Sequence, residues 1–367
     1  MDAEEAVARR MHGLGLWREA NDTAPSTPAE ALSPYAAMQG QEFAYALWGL
    51  AQRTAGCDAL AMRASFDAGE ILRTHAVRPT WHLLARDDAD WMLQLLAPRV
   101  HAANAFMYRS TGVDDVAAAE SGRTIAAAVA DGPKTRAELT AALAAAGIVG
   151  DGVRVAYLLM RAELDRVVIS GPLRGRQQTY ADYDDRVGQR SDADREQGLA
   201  ELARRYFRTR GPAGVKDFAR WSGLTLAEAR RGHAGIAGEL ASDVIEHPGT
   251  DRVEVWFPDA PAPAGPAGAR IDLIQGYDEC VMSYSETQAL LFEGEDPRTS
   301  ATPTLASYLH TVLSDGRVAG HWRRTLSASS ASVDVVQDRP FSAAEERALE
   351  EALDRYGEYL GLPVGRG

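Results

Sequence analysis

Gln39 and Gln41 are the residues of this 367-residue chain whose type and spacing first suggest chemistry. They stand in Met38-Gln39-Gly40-Gln41-Glu42, directly ahead of the helical run Tyr45-Ala46-Leu47-Trp48-Gly49-Leu50-Ala51. Two amides at i and i+2 on an extended or turning segment point the same way, and together they offer donors and acceptors that can fix a water molecule. Gln-x-Gln is common, however, and the same amides could instead cap the start of a helix over residues 42–53. A second set lies near the C-terminus, where Asp315-Gly316-Arg317 leads through a strand to His321-Trp322-Arg323-Arg324. Cations beside an aromatic ring on a hairpin suit phosphate contacts or entry into a minor groove. Strand alternation puts His321 and Arg323 on one face and Trp322 on the other, with a core role the competing reading for Trp322.

Other residues carry weaker signals. His82, in the otherwise apolar run Trp81-His82-Leu83-Leu84, is a possible cleft residue but reads first as a core histidine. Tyr277 and Asp278, followed by Glu279, could line the cleft or cap the end of an element. Arg174 and Arg176 fall on an expected hairpin tip, where phosphate contact competes with the plain polarity of any exposed turn. Cys57 and Cys280 lie far apart and read as reduced thiols. No phosphate loop, dinucleotide fingerprint or zinc-ligand spacing occurs, so neither a cofactor nor a metal is expected.

The elements that must position these residues are those of an ordinary globular chain, 46% hydrophobic, with room for two to four small domains. No run of eighteen apolar residues is present and Met1-Asp2-Ala3-Glu4-Glu5 is unlike a signal peptide, so a soluble, cytoplasmic protein with no membrane partner is expected. The net charge of −13 argues against nonspecific coating of nucleic acid, but leaves room for a basic groove on an acidic body. Of the 39 basic residues only Lys134 and Lys216 are lysines. That bias reflects codon usage first, yet arginine binds phosphate in a bidentate way and stacks on bases.

A repeat organises the middle of the chain. Gly132-Pro133-Lys134-Thr135-Arg136-Ala137-Glu138-Leu139 and Gly211-Pro212-Ala213-Gly214-Val215-Lys216-Asp217-Phe218 share a Gly-Pro turn followed by an acidic-apolar entry into a helix. The first copy continues through a helix with Val155, Leu158, Leu159 and Ala162 on one face, then a strand pair at residues 166–172 and 177–180. The second continues through Thr225–Arg231 to a strand pair at residues 243–246 and 252–257. A divergent unit comes before both, with a helix at residues 45–53 and a wing from Ile71-Leu72-Arg73 to Trp81-His82-Leu83-Leu84. Helix, turn, helix and wing, three times over, is the plan of tandem winged helices. Residues 258–266 read as a linker. Beyond it come strands, a hairpin at Asp315-Gly316 and a helix over residues 341–359 capped by Ser342.

The order of these motifs resembles the AlkZ family of bacterial DNA glycosylases. The resemblance rests on the Gln pair, Arg78-Pro79-Thr80-Trp81-His82-Leu83-Leu84, Ser170-Gly171-Pro172 with Gln177-Gln178-Thr179-Tyr180, Val215–Leu224, Gly276-Tyr277-Asp278-Glu279 and Asp315–Arg324. It implies an α+β fold of three tandem winged-helix domains in a C-shaped array, with a C-terminal mainly-β module. The boundaries expected are 1–115, carrying the Gln pair, 116–192, 193–262, and 263–367, carrying the hairpin. It further implies that Gln39 and Gln41 are catalytic. From their chemistry and place on the hairpin and the second wing, Arg317, His321, Trp322, Arg323, Arg324, Arg174 and Arg176 are expected to bind DNA. A related branch has Asp at the second position, so Gln41 places the chain on the AlkZ side; Gly40 departs from the bulkier middle residue usual there. The expected partner is double-stranded DNA carrying alkylated bases, met by a monomer. The expected activity is monofunctional hydrolysis of the N-glycosidic bond of alkylated purines, among them bulky N7-guanine adducts or crosslinks, in self-resistance to a genotoxic natural product. The alternative is a noncatalytic winged-helix DNA-binding regulator.

Overall fold

Capping residues set most of the helix starts. The computed structural model describes residues 1–18, 23–188, 190, 194–246, 252–292 and 310–367, so the expected boundary at 192/193 lies outside the described residues. Helix α1 (Ala3–Gly13) starts on the Asp2 side chain. Helix α2 (Pro28–Leu32) opens with a Thr27–Glu30 capping box, which satisfies two backbone donors that a helix start leaves free. Strand β1 (Met38–Gln39), helices α3 (Phe43–Ala51) and α4 (Ala59–Ala68), and the hairpin β2 (Ile71–Thr74) and β3 (His82–Ala85) complete a first unit. Its sheet runs β1-β3-β2, all antiparallel, with Gln39 opposite His82 and His82 opposite Thr74.

Helices α5 (Arg86–Ala103) and α6 (Ala105–Thr111) lead into a second unit of the same order: α7 (Asp115–Val129), β4 (Lys134–Thr135), α8 (Arg136–Ala145), α9 (Gly152–Leu164), β5 (Val168–Arg174) and β6 (Gln177–Asp182). Its sheet runs β4-β6-β5, the same connectivity as the first. After α10 (Tyr183–Val187) comes a third: α11 (Arg195–Arg210), α12 (Val215–Ser222), α13 (Leu226–Ala234), β7 (Leu240–Ile245) and β8 (Val253–Pro258). Here the short first strand is reduced to one antiparallel bridge, Ala213 to Trp256. The repeated Gly-Pro motifs fall at the same place in the second and third units, between the first helix and the short strand. Residues 259–270 contain no helix or strand, in keeping with their composition.

The C-terminal part holds β9 (Ile271–Ile274), α14 (Glu279–Met282), β10 (His310–Ser314), β11 (Arg317–Leu326), β12 (Ala331–Gln337), α15 (Ala343–Leu360) and β13 (Val364–Arg366). The sheet order is β13-β12-β11-β10-β9, and Ser342 caps α15 as its sequence suggests. Ser314 pairs with Arg317 across Asp315 and Gly316, both at positive φ (47° and 78°), the geometry that a two-residue hairpin needs.

The first unit does not own a core. Met38, Leu47, Trp48, Leu50, Phe66 and Leu83 pack with α1, the C-terminal sheet and α15 in one apolar cluster. Leu72 and Leu84, on the opposite face of its small sheet, join α5 and the third unit around Tyr206, Phe218 and Trp221. The second unit has a cluster of its own, built on Ile125, Leu139, Leu158 and Val168, and a small fourth one joins Ile245, Val253 and Val255 of the third unit to Ala6 of α1. Strand β1 is therefore wedged between the third unit and the C-terminal module. Among the described residues no helix is long and apolar enough to cross a membrane.

The hairpin between β10 and β11 does not project outward. Gly316 packs on α1, and a Cβ there would meet Val7 Cγ1 at 2.6 Å and Met11 Cγ at 3.0 Å. Gly316→Ala combines this clash with an αL backbone, and is expected to lower unfolding free energy by about 2–4 kcal/mol, measured by urea titration.

Candidate active site

Strand β1 brings the Gln pair to the meeting point of three parts of the chain. Almost every main-chain group of Gln39, Gly40 and Gln41 is held from outside. Gln39 N–H donates to Glu279 Oε1 at 2.8 Å, and Gln39 O accepts from Gln275 Nε2 at 3.2 Å. Gly40 N–H donates to Trp81 O at 2.8 Å. The Arg73 guanidinium donates to Gly40 O at 2.8 Å and to Gln41 O at 3.2 Å. A side chain at residue 40 would press on the β3 backbone, its Cβ lying 3.2 Å from His82 C. Glycine at this position thus allows a close approach of two strands.

Glu279 is the hub. It is fully buried, and its Oε2 accepts from Arg210 Nε and Nη2 (3.0 and 2.8 Å), Trp221 Nε1 (2.9 Å) and Ser283 Oγ (2.9 Å). Burial, the largest single influence, raises the carboxyl, but the Arg210 charge together with the hydrogen bonds from Arg210 and the Gln39 N–H outweighs it and holds Glu279 below the ordinary range. Arg210, also fully buried, reaches on to Tyr35 O and Ala37 O, and its guanidinium lies 4.2 Å from the Trp221 ring. One ion pair therefore ties the third unit and α14 to the strand carrying Gln39.

Arg73 forms the second clamp. It lies over the Trp81 ring at 4.2 Å and is 8% exposed, and burial pushes its guanidinium down to about 10. Trp81 in turn lies against the His75 ring, tilted by 41° at 3.8 Å, and His75 bonds to the buried Glu163 from the second unit. Sequence reasoning passed over Arg73 and Arg210. The one available signal was a charge inside the apolar strand Ile71-Leu72-Arg73.

The two glutamines have unlike surroundings. Gln39 is 2% exposed, whereas Gln41 is exposed and its Oε1 accepts from Trp81 N–H at 3.3 Å. Neither caps α3, whose N-cap, Glu42, makes no side-chain cap bond. Gln39 Oε1, His82 Nε2 and Thr74 Oγ1 are buried without a hydrogen-bond partner, and the register places all three residues in one row across the sheet. Buried unpaired polar atoms cost about 1–3 kcal/mol each, and three of them fall in this one row.

The remaining expected residues divide. His82 is a core histidine, its ring pushed down to about 3 by burial and then by Arg78, and hence neutral. Asp278 is corrected from cleft to interior: it caps α14 and pairs with buried Arg53 at 2.8 Å. Tyr277 is half-buried. Trp322 is corrected likewise, since it is 1% exposed and gives its N–H to Ile274 O, which leaves no ring face for a base. Arg317 sits at the end docked on α1, in a 540 Å³ cavity with Glu4 and Glu5, a poor setting for phosphate. Arg324 is on the Trp322 face, 4.2 Å over the Tyr45 ring and bonded to Tyr356. His321 and Arg323 share the outer face as alternation predicts, and Arg323 is open to solvent while pairing with Asp334. The tip of this sheet that is exposed is the other one, Ser327-Ala328-Ser329-Ser330 between β11 and β12. Arg174 pairs with Glu138 at 2.7 Å, and Arg176 is exposed at the second wing tip. Among the described residues no group of His, Cys, Asp or Glu is arranged to hold a metal ion.

With this geometry in place, comparison with known proteins supplies the family. The sequence model described as DNA glycosylase AlkZ-like matches residues 33–359. The chain belongs to the AlkZ-like DNA glycosylase family. No curated protein sequence gives a significant match. Among solved structures, the DNA glycosylase AlkZ of Streptomyces sahachiroi is similar over 100% of both chains, with a TM-score of 0.76 at 20% identity.

Because Glu279 is held below its unfolded value, its stabilising contribution is complete above a pH of about 4.3 and is lost as pH falls through the folded value. Glu279→Gln leaves Arg210 without a countercharge and is expected to cost about 3–5 kcal/mol near neutral pH. In urea titrations the gap from wild type should narrow below about pH 4.

Proposed function

We propose that this member of the family is a monofunctional DNA glycosylase that hydrolyses the N-glycosidic bond of alkylated purines, bulky N7-guanine adducts or crosslinks among them. The observation that carries the reading is the asymmetry of the Gln pair. Almost all of their main-chain groups are held by hydrogen bonds, while the side chain of Gln41 reaches the surface. Guanine alkylated at N7 is already cationic, so its bond to C1′ is weakened and the base leaves without protonation. Such a reaction needs positioning of water and stabilisation of an oxocarbenium-like sugar more than a strong acid. The histidine beside the motif, His82, is neutral and buried and supplies no acid, which suits this chemistry. Strand cleavage by β-elimination would require an amine nucleophile. The two lysines are instead engaged, Lys134 with Asp131 and Lys216 with Glu286.

The three repeated units are read as winged helices in a C-shaped array, a reading supported by their common order and by the matching sheets β1-β3-β2 and β4-β6-β5. The domains proposed are 1–115, 116–192, 193–262 and 263–367, with the first depending on its neighbours for a core. DNA would meet the β11–β12 end of the last module, through His321 and Arg323, together with the second wing at Arg174 and Arg176. A cleft without a closed base pocket would tolerate large lesions, which suits self-resistance to a DNA-alkylating natural product in a soluble, cytoplasmic monomer.

The deciding measurement is base release from duplex DNA carrying N7-methylguanine or a bulky N7 adduct. Gln41→Ala is expected to lower the single-turnover rate about 10²-fold, with folding stability within roughly 0.5 kcal/mol because the side chain is exposed. Full activity in that variant would remove Gln41 from the mechanism. Absence of release by the wild type on both substrates would leave a noncatalytic DNA-binding protein. For the interface, Arg323→Ala should weaken duplex binding and reduce the slope of log K against log salt by about one, while Arg317→Ala leaves both unchanged.

A further inference from the structure

Hydrolysis of a cationic N7-alkylguanine nucleotide produces a proton that two amides cannot take. The base departs with the C1′–N9 bonding pair, which cancels its positive charge. The water oxygen forms the new C1′–O bond, and one of its protons must leave to give the neutral hydroxyl of the abasic sugar. We propose that Glu42, oriented by His310, is the group that accepts this proton. The inference rests on the glycosylase reading above.

Glu42 follows Gln41 directly, and its side chain is 42% exposed. It occupies the N-cap position of α3 but makes no cap bond, so its carboxylate is not spent on holding the helix. His310, on β10, faces it with Nε2 at 3.5 Å from Glu42 Oε2. The tautomer follows from the other nitrogen. Gly276 N–H donates to His310 Nδ1 at 3.1 Å, so Nδ1 is unprotonated and the ring hydrogen sits on Nε2, toward the carboxylate. The ring itself is held in place, stacked on Tyr45 at 3.6 Å and lying 5.5 Å from Trp322. Gly276 also adjoins Gln275, whose amide holds the Gln39 carbonyl. One turn therefore fixes both the first glutamine and the partner of Glu42.

Among the described residues, the other charged or titratable groups facing Glu42 are Arg324 on β11 and Tyr45 on α3. Partial burial raises the Glu42 carboxyl above the ordinary range and Arg324 opposes the rise, an environment suited to a base that must work near neutrality. Burial and Arg324 push His310 down to about 4, so the ring is neutral while Glu42 is ionised. The neighbouring carboxylates are poor rivals: Glu279 is fully buried under four donor groups and Asp278 is locked to Arg53.

The test is single-turnover base release from duplex DNA carrying N7-methylguanine between pH 4.5 and 8, corrected for spontaneous loss, with duplex affinity measured separately. Wild type should lose rate about tenfold per pH unit below an apparent value higher than the roughly 4.3 of free glutamate. Glu42→Gln should lower the plateau about 10²-fold and abolish the acid limb, with duplex affinity changed less than about twofold. Glu42→Asp should keep the limb at reduced rate, and His310→Phe, which preserves the stack, should slow the reaction without removing the limb. A wild-type profile without an acid limb, or Glu42→Gln within about twofold of wild type across the range, overturns the assignment while leaving the glycosylase reading intact. A wild type that releases neither this base nor a bulky N7 adduct overturns both.

Discussion

The ion pair between Arg210 and Glu279 is the interaction on which the site depends. Each partner is completely buried, and neither could remain charged there without the other. Their value lies less in mutual attraction than in what the leftover hydrogen-bonding capacity reaches. Arg210 spans Tyr35 O and Ala37 O, and Glu279 takes the Gln39 N–H, so five consecutive residues, 35–39, are set by one pair. Trp221 and Ser283 then fix Glu279, which extends the constraint to α12 and α14. A two-stranded pairing as short as β1 could not hold its register by itself; it is the side-chain network that makes it rigid.

The same device recurs through the molecule and gives the near absence of lysine a structural consequence. Arg10 donates to Pro212 O and Thr287 O, and Arg53 to Leu14 O and Gly49 O as well as to Asp278. Arg73 does so for Gly40 and Gln41. In each case one planar fork holds two main-chain carbonyls, at least one of them distant in sequence from the arginine, which an ammonium group with no fixed donor geometry does poorly. The chain can thus bind its N-terminal helix, its third unit and its C-terminal sheet around the first unit, which lacks a private core.

Legibility in the sequence followed the range of the interactions. Local rules located the Asp315-Gly316 turn, the Ser342 cap and the helix pairs after each Gly-Pro, because dihedral preference and capping act within four residues. They missed α5 and α11, whose apolar residues are spread by contacts on several sides and whose sequences are rich in charge. They also could not say which hairpin of the C-terminal sheet is free. The 315–316 turn looks like an exposed tip, but Gly316 is covered by Val7, Met11 and Trp17, residues about three hundred positions away in the chain. At the site, the Gln pair was visible as a motif, whereas its clamps, Arg73, Arg210 and Glu279, become a unit only when the third unit and α14 fold against β1.

The unlike burial of the two glutamines argues for unlike duties. Gln39 lies in the row with His82 and Thr74, its main chain bonded on both sides and its side chain withdrawn from solvent. Gln41, two residues on, has left the strand, and its Oε1 is shared with the Trp81 N–H at the mouth of the site. On the proposed function, a side chain that meets a large adduct needs to stand at the surface, while the geometry that makes it effective must be supplied by groups that do not move. Division of the pair into an anchored residue and a reaching one satisfies both requirements. It also explains why Gly40 is tolerated between them: the close approach to β3 that a larger residue would obstruct is what brings the Trp81 peptide within reach of Gln41.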